Sequence, residues 1–241
     1  MKGTAAAVLI AFMAAFIKGV GGTGIGTMVV SLASLVIGVK DAVVLSALLS
    51  LYGGIGMFRS GTVSIRPPYF IGICACVVSG TATGSQLLKI AQVPVVECFL
   101  AAMLVLVGSI FLFDIQRFRI ATLLDSPPDR PSPLDCAMGL LTGVVGISLP
   151  VLLFHFGSYL SKQALRHLIL LLFIPSAVVQ VLTFTGNELM SQKVFVVSLF
   201  SLPALFAGVF TGNRLFHRLS EKRFRQCLGI LLYCAAVKLA V

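Results

Sequence analysis

Uninterrupted apolar runs of about 20 residues most constrain what this chain can fold into. Residues 70–88 and 93–113 are two such runs. At about 1.5 Å of rise per helical residue, each run matches the roughly 30 Å hydrocarbon core of a bilayer. A transmembrane β-strand would alternate apolar and polar residues instead. Because backbone polar groups in lipid must be satisfied internally, these runs predict transmembrane helices.

The overall composition also indicates that the chain lies in a lipid bilayer. Of the 241 residues, 58% are hydrophobic and 11% are charged, whereas a soluble domain carries about 25% charged residues. The net charge of +10 comes mostly from Lys and Arg in short connections, where they set topology and meet anionic headgroups. They form no motif that reads nucleic acid, so no nucleic-acid partner is expected. We therefore predict an all-α, multi-pass integral membrane protein in contact with the lipid bilayer.

The longest polar stretch lies near the middle of the chain, at residues 114–135. Four prolines fall within residues 127–133, where they cannot continue a helix and leave few N–H donors. This composition predicts a solvent-exposed linker at 114–135. It separates a first transmembrane repeat at 1–113 from a second at 136–241.

The two regions share short patterns in the same order. Gly80 and Gly84 correspond to Gly208 and Gly212 at an offset of 128, and residues 19–22 correspond to 143–146 at an offset of 124. Duplicated halves around a central site are a common transporter design. The pattern predicts about eight transmembrane helices in two repeated halves. Chance similarity between glycine-rich apolar helices is the alternative.

Each half also contains an interruption within apolar sequence. Five glycines lie in residues 19–26, and each costs about 1 kcal/mol relative to alanine in a helix interior. The second half has its counterpart at 143–150, which ends in Pro150. Such broken or re-entrant segments are tolerated at membrane depth only where they are buried in protein or line a wet cavity. Interrupted segments in matching positions point to a transporter's binding site, while close helix packing is the alternative.

Several short motifs around these interruptions form a recognisable set. They comprise residues 16–26, 40–46, 64–67 and 139–150, and the small-residue helix around Gly80 and Gly84. Together they resemble the sulfite exporter TauE/SafE family of bacterial membrane permeases, over nearly the whole chain. The resemblance implies a secondary transporter of the bacterial inner membrane, and not an enzyme. It implies small anionic substrates, such as sulfite or organosulfonates, moved by alternating access between two repeats.

The candidate substrate-binding residues combine helix breaks with positive charge. Breaks expose N–H donors at the positive end of the following helix, and an arginine fork suits an oxyanion. A lysine or arginine that only snorkels or sets topology is the alternative. No catalytic residue, cofactor or metal site is predicted. The candidates are Lys18, Gly21, Gly22, Thr23, Gly24, Gly26, Arg59, Ser148, Pro150 and Arg166.

Some functional questions stay open at the level of sequence. An anion channel is the closest alternative. An intramembrane enzyme is less well supported because no HExxH or GxSxG motif is present, and a scaffold subunit is less well supported because the chain has only one modest polar linker. His155 is either a hydrogen-bonded core histidine or a proton carrier, so proton coupling stays open, as does homo-oligomerisation. With eight assumed spans, Lys and Arg divide nine against eight between the two sides, which predicts no orientation.

Overall fold

The computed structural model describes residues 2–21, 25–57, 67–112, 131–147, 149–156, 162–215 and 221–240. Within these ranges the regular structure is helical, without strands, which confirms the all-α fold class. The helices are α1 (Lys2–Gly21), α2 (Ile25–Ile37), α3 (Val39–Met57), α4 (Pro67–Ile90), α5 (Val93–Leu112), α6 (Pro133–Val145), α7 (Leu149–Phe156), α8 (Lys162–Gly186), α9 (Gln192–Phe200), α10 (Leu202–Leu215) and α11 (Glu221–Ala240).

The prediction of about eight spans is not confirmed. Three helices in the described ranges are long and apolar enough to cross a membrane, within α4, α5 and α8. The pair α9 and α10, bent by 42°, makes a fourth if it counts as one span. Shorter apolar helices lie within α1, α2, α6 and α11.

Helix α6 shows how local sequence sets a helix end. The Ser132 side chain accepts a hydrogen bond from the Leu134 N–H at 3.3 Å, and the Asp135 carboxylate accepts one from the Ser132 N–H at 2.8 Å. This reciprocal capping box and Pro133 start the helix inside the segment predicted as linker. The helix ends at Gly146, whose φ of 69° is the left-handed conformation that favours glycine.

Helices α4 and α6 pack with their backbones in contact along a small-residue seam formed by Gly80, Gly84, Gly139 and Gly143. A Cβ atom added at Gly143 would lie 2.6 Å from the Ser85 nitrogen, and one added at Gly139 would lie 2.9 Å from the Val77 carbonyl carbon. Small residues allow this close approach between helices in lipid. The two helices run parallel, because contact positions advance together along both chains.

Other contacts fix the direction of the remaining helices. Lys40 at the start of α3 donates a hydrogen bond to the carbonyl of Lys89 at the end of α4, at 3.2 Å. Asp41 lines a cavity together with Gln192 and Lys193 at the start of α9. Helix α3 and the α9–α10 pair therefore run opposite to α4. We call the side where α3 and α5 end, and α4 and α6 begin, the linker side.

The chain turns back at the second break. Asp135 lies in the first turn of α6, and its carboxylate is 3.5 Å from the imidazole of His155 in the last turn of α7. Helix α7 therefore returns toward the end from which α6 began. Together α6 and α7 form a re-entrant hairpin that enters from the linker side.

The first break has the same character. Laid end to end, residues 2–37 would make a helix of about 54 Å, far longer than the roughly 30 Å hydrocarbon core. Helix α2 leads directly into the start of α3, on the side opposite the linker. Helices α1 and α2 also pack against each other, so we infer that they form a second hairpin, which enters from that opposite side.

Candidate functional site

The tips of the two hairpins touch. A Cβ atom added at Gly26, in the first turn of α2, would lie 2.7 Å from the carbonyl oxygen of Gly146 at the end of α6. Only a residue without a side chain allows this approach. The two interrupted segments, which are about 120 residues apart in sequence, thus meet at one place in the structure.

Helix α3 supplies two hydroxyl groups at this contact. The Ser46 hydroxyl oxygen lies 2.8 Å from the Cβ position of Gly146, and that of Ser50 lies 3.7 Å from the Cβ position of Gly26. Ser46 is buried and donates a hydrogen bond to the carbonyl of Val43 at 2.8 Å. Such a local bond can be exchanged for a bond to a ligand. We call Gly26, Ser46, Ser50 and Gly146 the hairpin junction.

The hairpin junction lies at the middle of the helix layer. Ser46 is seven residues after the start of α3 at Val39, and Ser50 is seven residues before its end at Met57. At 1.5 Å per residue, the junction is about 10 Å from either end of α3. Transporters with discontinuous helices place their substrate sites near this depth.

Helix ends give the junction its electrostatic character. Helices α2 and α7 begin at the breaks, so their free N–H groups and positive dipole ends lie at mid-depth. The last turn of α6 is held by Gln180 of α8, which is buried and donates a hydrogen bond to the Thr142 carbonyl at 2.8 Å. The junction residues carry no full charge. Helix N-termini beside hydroxyl groups provide the donors that a small anion requires.

The ten predicted site residues fall into three groups. Gly26 lies at the junction. The structure describes the backbone, but not the side chains, of four others, which lie in helices: Lys18, Gly21, Pro150 and Arg166. The remaining five lie outside the described residues: Gly22, Thr23, Gly24, Arg59 and Ser148.

Sequence reasoning missed Ser46 and Ser50. The family resemblance includes Ser46 only as the end of a motif, and it does not include Ser50. A signal was present, because residues four apart on a helix share a face, and these two hydroxyls interrupt the apolar sequence of α3. Gln180 was also missed, although a buried amide within an apolar span needs a partner.

Comparison with known proteins gives one match. A family model described as sulfite exporter TauE/SafE matches residues 7–239, which is nearly the whole chain. No curated protein and no solved structure matches the chain at a significant level.

Proposed function

Since the chain belongs to the sulfite exporter TauE/SafE family, we propose that it moves sulfite and related organosulfonates through the hairpin junction by alternating access. The family assignment makes it a multi-pass membrane transporter of sulfite-type anions and not an enzyme. The contact between Gly26 and Gly146 carries the proposal, because it joins both helix breaks at mid-depth.

A two-fold internal repeat is supported by the helix boundaries. Helices α1 and α6 end at Gly21 and Val145, and helices α2 and α7 begin at Ile25 and Leu149, each pair at an offset of 124. Helix α5 spans 93–112 and α11 spans 221–240, at an offset of 128. These are the two offsets that the glycine patterns predict.

Matched contacts between helices give independent support. A Cβ atom added at Gly80 would meet the Cys136 carbonyl oxygen and lie 2.9 Å from the Leu140 nitrogen. One added at Gly208 would lie 2.5 Å from the Phe12 carbonyl oxygen and 3.0 Å from the Phe16 nitrogen. The same offsets relate every partner, so the packing of α1 on α10 repeats that of α4 on α6.

The direction of the helices favours an inverted repeat. Helix α10 runs opposite to its counterpart α4, and the two hairpins enter from opposite sides. In inverted-repeat transporters the substrate site lies at the interface between the repeats, and the two repeats exchange roles as the site opens to each side. The hairpin junction lies between the two repeats, because Gly26 belongs to the first and Gly146 to the second.

Backbone contacts between helices, rather than the two halves of the sequence, indicate which helices move together. Backbones touch at Gly80 and Gly143 between α4 and α6, and at Gly208 between α10 and α1. Packed interfaces of this kind move as rigid bodies. We therefore assign α4 with α6 to one unit and α1 with α10 to the other, with the junction between them.

Removal of the junction hydroxyls is expected to weaken anion binding. We expect Ser46→Ala and Ser50→Ala each to raise the KM for sulfite or sulfoacetate flux in proteoliposomes about tenfold, since a hydrogen bond to a charged group contributes roughly 1.5 kcal/mol. Ser79→Ala is the matched control, because Ser79 makes the same local bond, to the Cys76 carbonyl at 3.0 Å, on an exposed face of α4. Unchanged KM values in both junction variants would remove these hydroxyls from the site, and non-saturating flux would indicate a channel.

The positive charges favour one orientation in the membrane. With re-entrant hairpins, twelve of the 18 Lys and Arg residues belong to helix ends or connections on the linker side, and five belong to the opposite side. Positive residues are enriched in the cytoplasm, so the linker side is assigned to the cytoplasm. Lys18, near the first break, belongs to neither side. The twelve are Arg59, Arg66, Arg117, Arg119, Arg130, Lys162, Arg166, Arg214, Arg218, Lys222, Arg223 and Arg225, and the five are Lys2, Lys40, Lys89, Lys193 and Lys238.

A protease site inserted between residues 119 and 127 tests this orientation. We expect cleavage in inside-out membrane vesicles and protection in right-side-out vesicles, because the linker faces the cytoplasm. The matched control carries the same site in the turn between Gly186 and Gln192, at the other side, and the expected pattern there is the reverse. Cleavage of both sites in the same vesicles would contradict the placement of the linker and this turn on opposite sides.

A further inference from the structure

The base of the α6–α7 hairpin holds a buried acid–base pair. Asp135 is 1% exposed and His155 is 5% exposed, and the His155 Nε2 atom lies 3.5 Å from the Asp135 Oδ1 atom. Asp135 belongs to one arm of the hairpin and His155 to the other, so their contact joins the two arms at the base of the hairpin. Buried ionisable groups in a membrane protein are costly, and they mark ion or proton pathways.

Several polar atoms of this cluster lack hydrogen-bond partners among the described residues. They are the Asp135 Oδ1 atom, both ring nitrogens of His155 and the Tyr69 hydroxyl of α4. The other Asp135 oxygen, Oδ2, accepts the Ser132 N–H of the helix cap. One carboxylate oxygen of Asp135 thus caps helix α6, while the other lies beside the His155 imidazole without forming a hydrogen bond to it. Buried polar groups are normally paired, so unpaired ones call for a functional explanation.

The surroundings contain few other groups that could take the proton. Helix α4 contributes Tyr69 and Cys76, and α6 contributes Cys136, beside the pair. Helix α8 contributes the apolar Leu168, Ile169 and Leu172 to the same cluster, with His167 next in sequence. Cys74 of α4 also packs against this cluster, and the buried remainder consists of apolar residues of α4, α6 and α7: Ile73, Val77, Met138, Leu152 and Phe156.

We propose that Asp135 and His155 form the proton-binding site that couples anion transport to a proton gradient, a role that rests on the proposed transport function. Without the proton, the pair consists of a carboxylate and a neutral imidazole and carries one negative charge. One proton from water binds the imidazole, and the pair becomes a neutral imidazolium–carboxylate ion pair. Histidine suits this role because its imidazole can both accept and donate a proton.

The position of the pair links proton binding to movement. An imidazolium on α7 attracts the carboxylate on α6, so the protonated hairpin is held closed at its base. Loss of the proton removes this attraction and leaves a buried, uncompensated carboxylate, which favours opening toward water. The equivalent positions of the other hairpin, at an offset of 124, are Ala11 and Ser31, which do not titrate near neutral pH. Among the described residues, the acid–base pair therefore belongs to the α6–α7 hairpin and has no equivalent in the other one.

Two flux measurements on the full-length protein in proteoliposomes test this role. The first is exchange of labelled sulfite and sulfoacetate at equal pH on both sides, and the second is accumulation driven by a pH gradient. We expect Asp135→Asn and His155→Gln to retain exchange within about twofold but to lose accumulation about tenfold, because only coupling is removed. His167→Gln and Asp41→Asn are the matched controls, in which a histidine and an aspartate outside the pair are changed, and both keep wild-type accumulation.

The outcomes separate this role from the transport function. Wild-type accumulation in His155→Gln would overturn the proton site, and so would a wild-type protein that exchanges anions but ignores the pH gradient. The absence of both exchange and accumulation in the folded wild-type protein would instead overturn the transport function. If Asp135→Asn loses the helix cap and unfolds, His155→Gln still decides, because His155 takes no part in the cap.

Discussion

Gly26→Val is expected to abolish saturable anion flux while the protein stays folded. The valine Cβ would lie 2.7 Å from the carbonyl oxygen of Gly146, which is backbone and cannot rotate away. The two hairpin tips must then separate at the proposed binding site. Overpacking of this kind costs roughly 1–3 kcal/mol, which corresponds to a loss of about fivefold to 150-fold in substrate occupancy.

Flux in proteoliposomes, at equal amounts of monodisperse protein, measures this effect. Gly186→Val is the matched control, because a Cβ atom at Gly186 would meet no heavy atom within 4 Å, and we expect wild-type flux. Gly26→Ala should fall between the two, since a single methyl group demands a smaller shift. Wild-type flux in Gly26→Val would show that transport does not need the contact between the hairpins.

Gly143→Leu is expected to cause the largest loss of stability in the described part of the chain. A Cβ atom there would lie 2.6 Å from the Ser85 nitrogen and 2.8 Å from the Gly84 carbonyl carbon, and both atoms are backbone of α4. The leucine side chain therefore forces α4 and α6 apart along the whole small-residue seam. We expect destabilisation of more than about 3 kcal/mol, seen as low yield and a lower Tm in detergent.

Matched variants show whether the two halves pack alike. Gly80→Ala and Gly208→Ala should lower the Tm by similar amounts, because each added methyl group meets a carbonyl oxygen and a nitrogen of the neighbouring helix. Gly186→Leu provides the neutral comparison. A harmful Gly80→Ala beside a harmless Gly208→Ala would contradict the repeated packing of α4 on α6 and α1 on α10.

The solvent and the fold class follow from sequence alone, and so do the places where helices break. Apolar runs and low charge leave helices in lipid as the expected outcome, and the glycines of residues 19–26 mark a discontinuity whatever surrounds them. Reversal of the chain at a break is different in kind. At the second break it became visible through the contact between Asp135 and His155, two residues 20 apart whose proximity no local pattern encodes.

Because the sequence does not show where the chain reverses, the Lys and Arg residues divide almost equally between the two sides when eight spans are assumed. If eight crossings are assumed, Lys40 and Lys89 fall on the same side as the basic cluster of residues 214–225. In the structure, Lys40 contacts the Lys89 carbonyl at the end of the helix layer away from the linker. A re-entrant hairpin returns to the side from which it entered. Counting both hairpins as crossings therefore inverts the connections that lie between them, including Lys40 and Lys89, relative to all the others.

The sequence also does not predict which distant helices pack against each other. The offset between Gly80 and Gly208 indicates that the two glycines are equivalent, but it does not say which helix each one contacts. The partner of each lies in the other half, where Cys136 and Phe12 occupy equivalent positions. Equivalence can be read along one sequence, whereas contact requires the three-dimensional arrangement.

The packing of α1 against α10 also sets an order of events during biosynthesis. Its contacts join residues 12–16 to Gly208, so they are separated by about 190 residues of chain. At a synthesis rate of about 5–20 residues per second, α1 waits roughly 10–40 s before its partner leaves the ribosome. Throughout this interval the alanines that α1 later buries, Ala11, Ala14 and Ala15, face lipid or a cellular insertion factor. Although α1 is made before the other described helices, it is thus among the last of them to reach its native position.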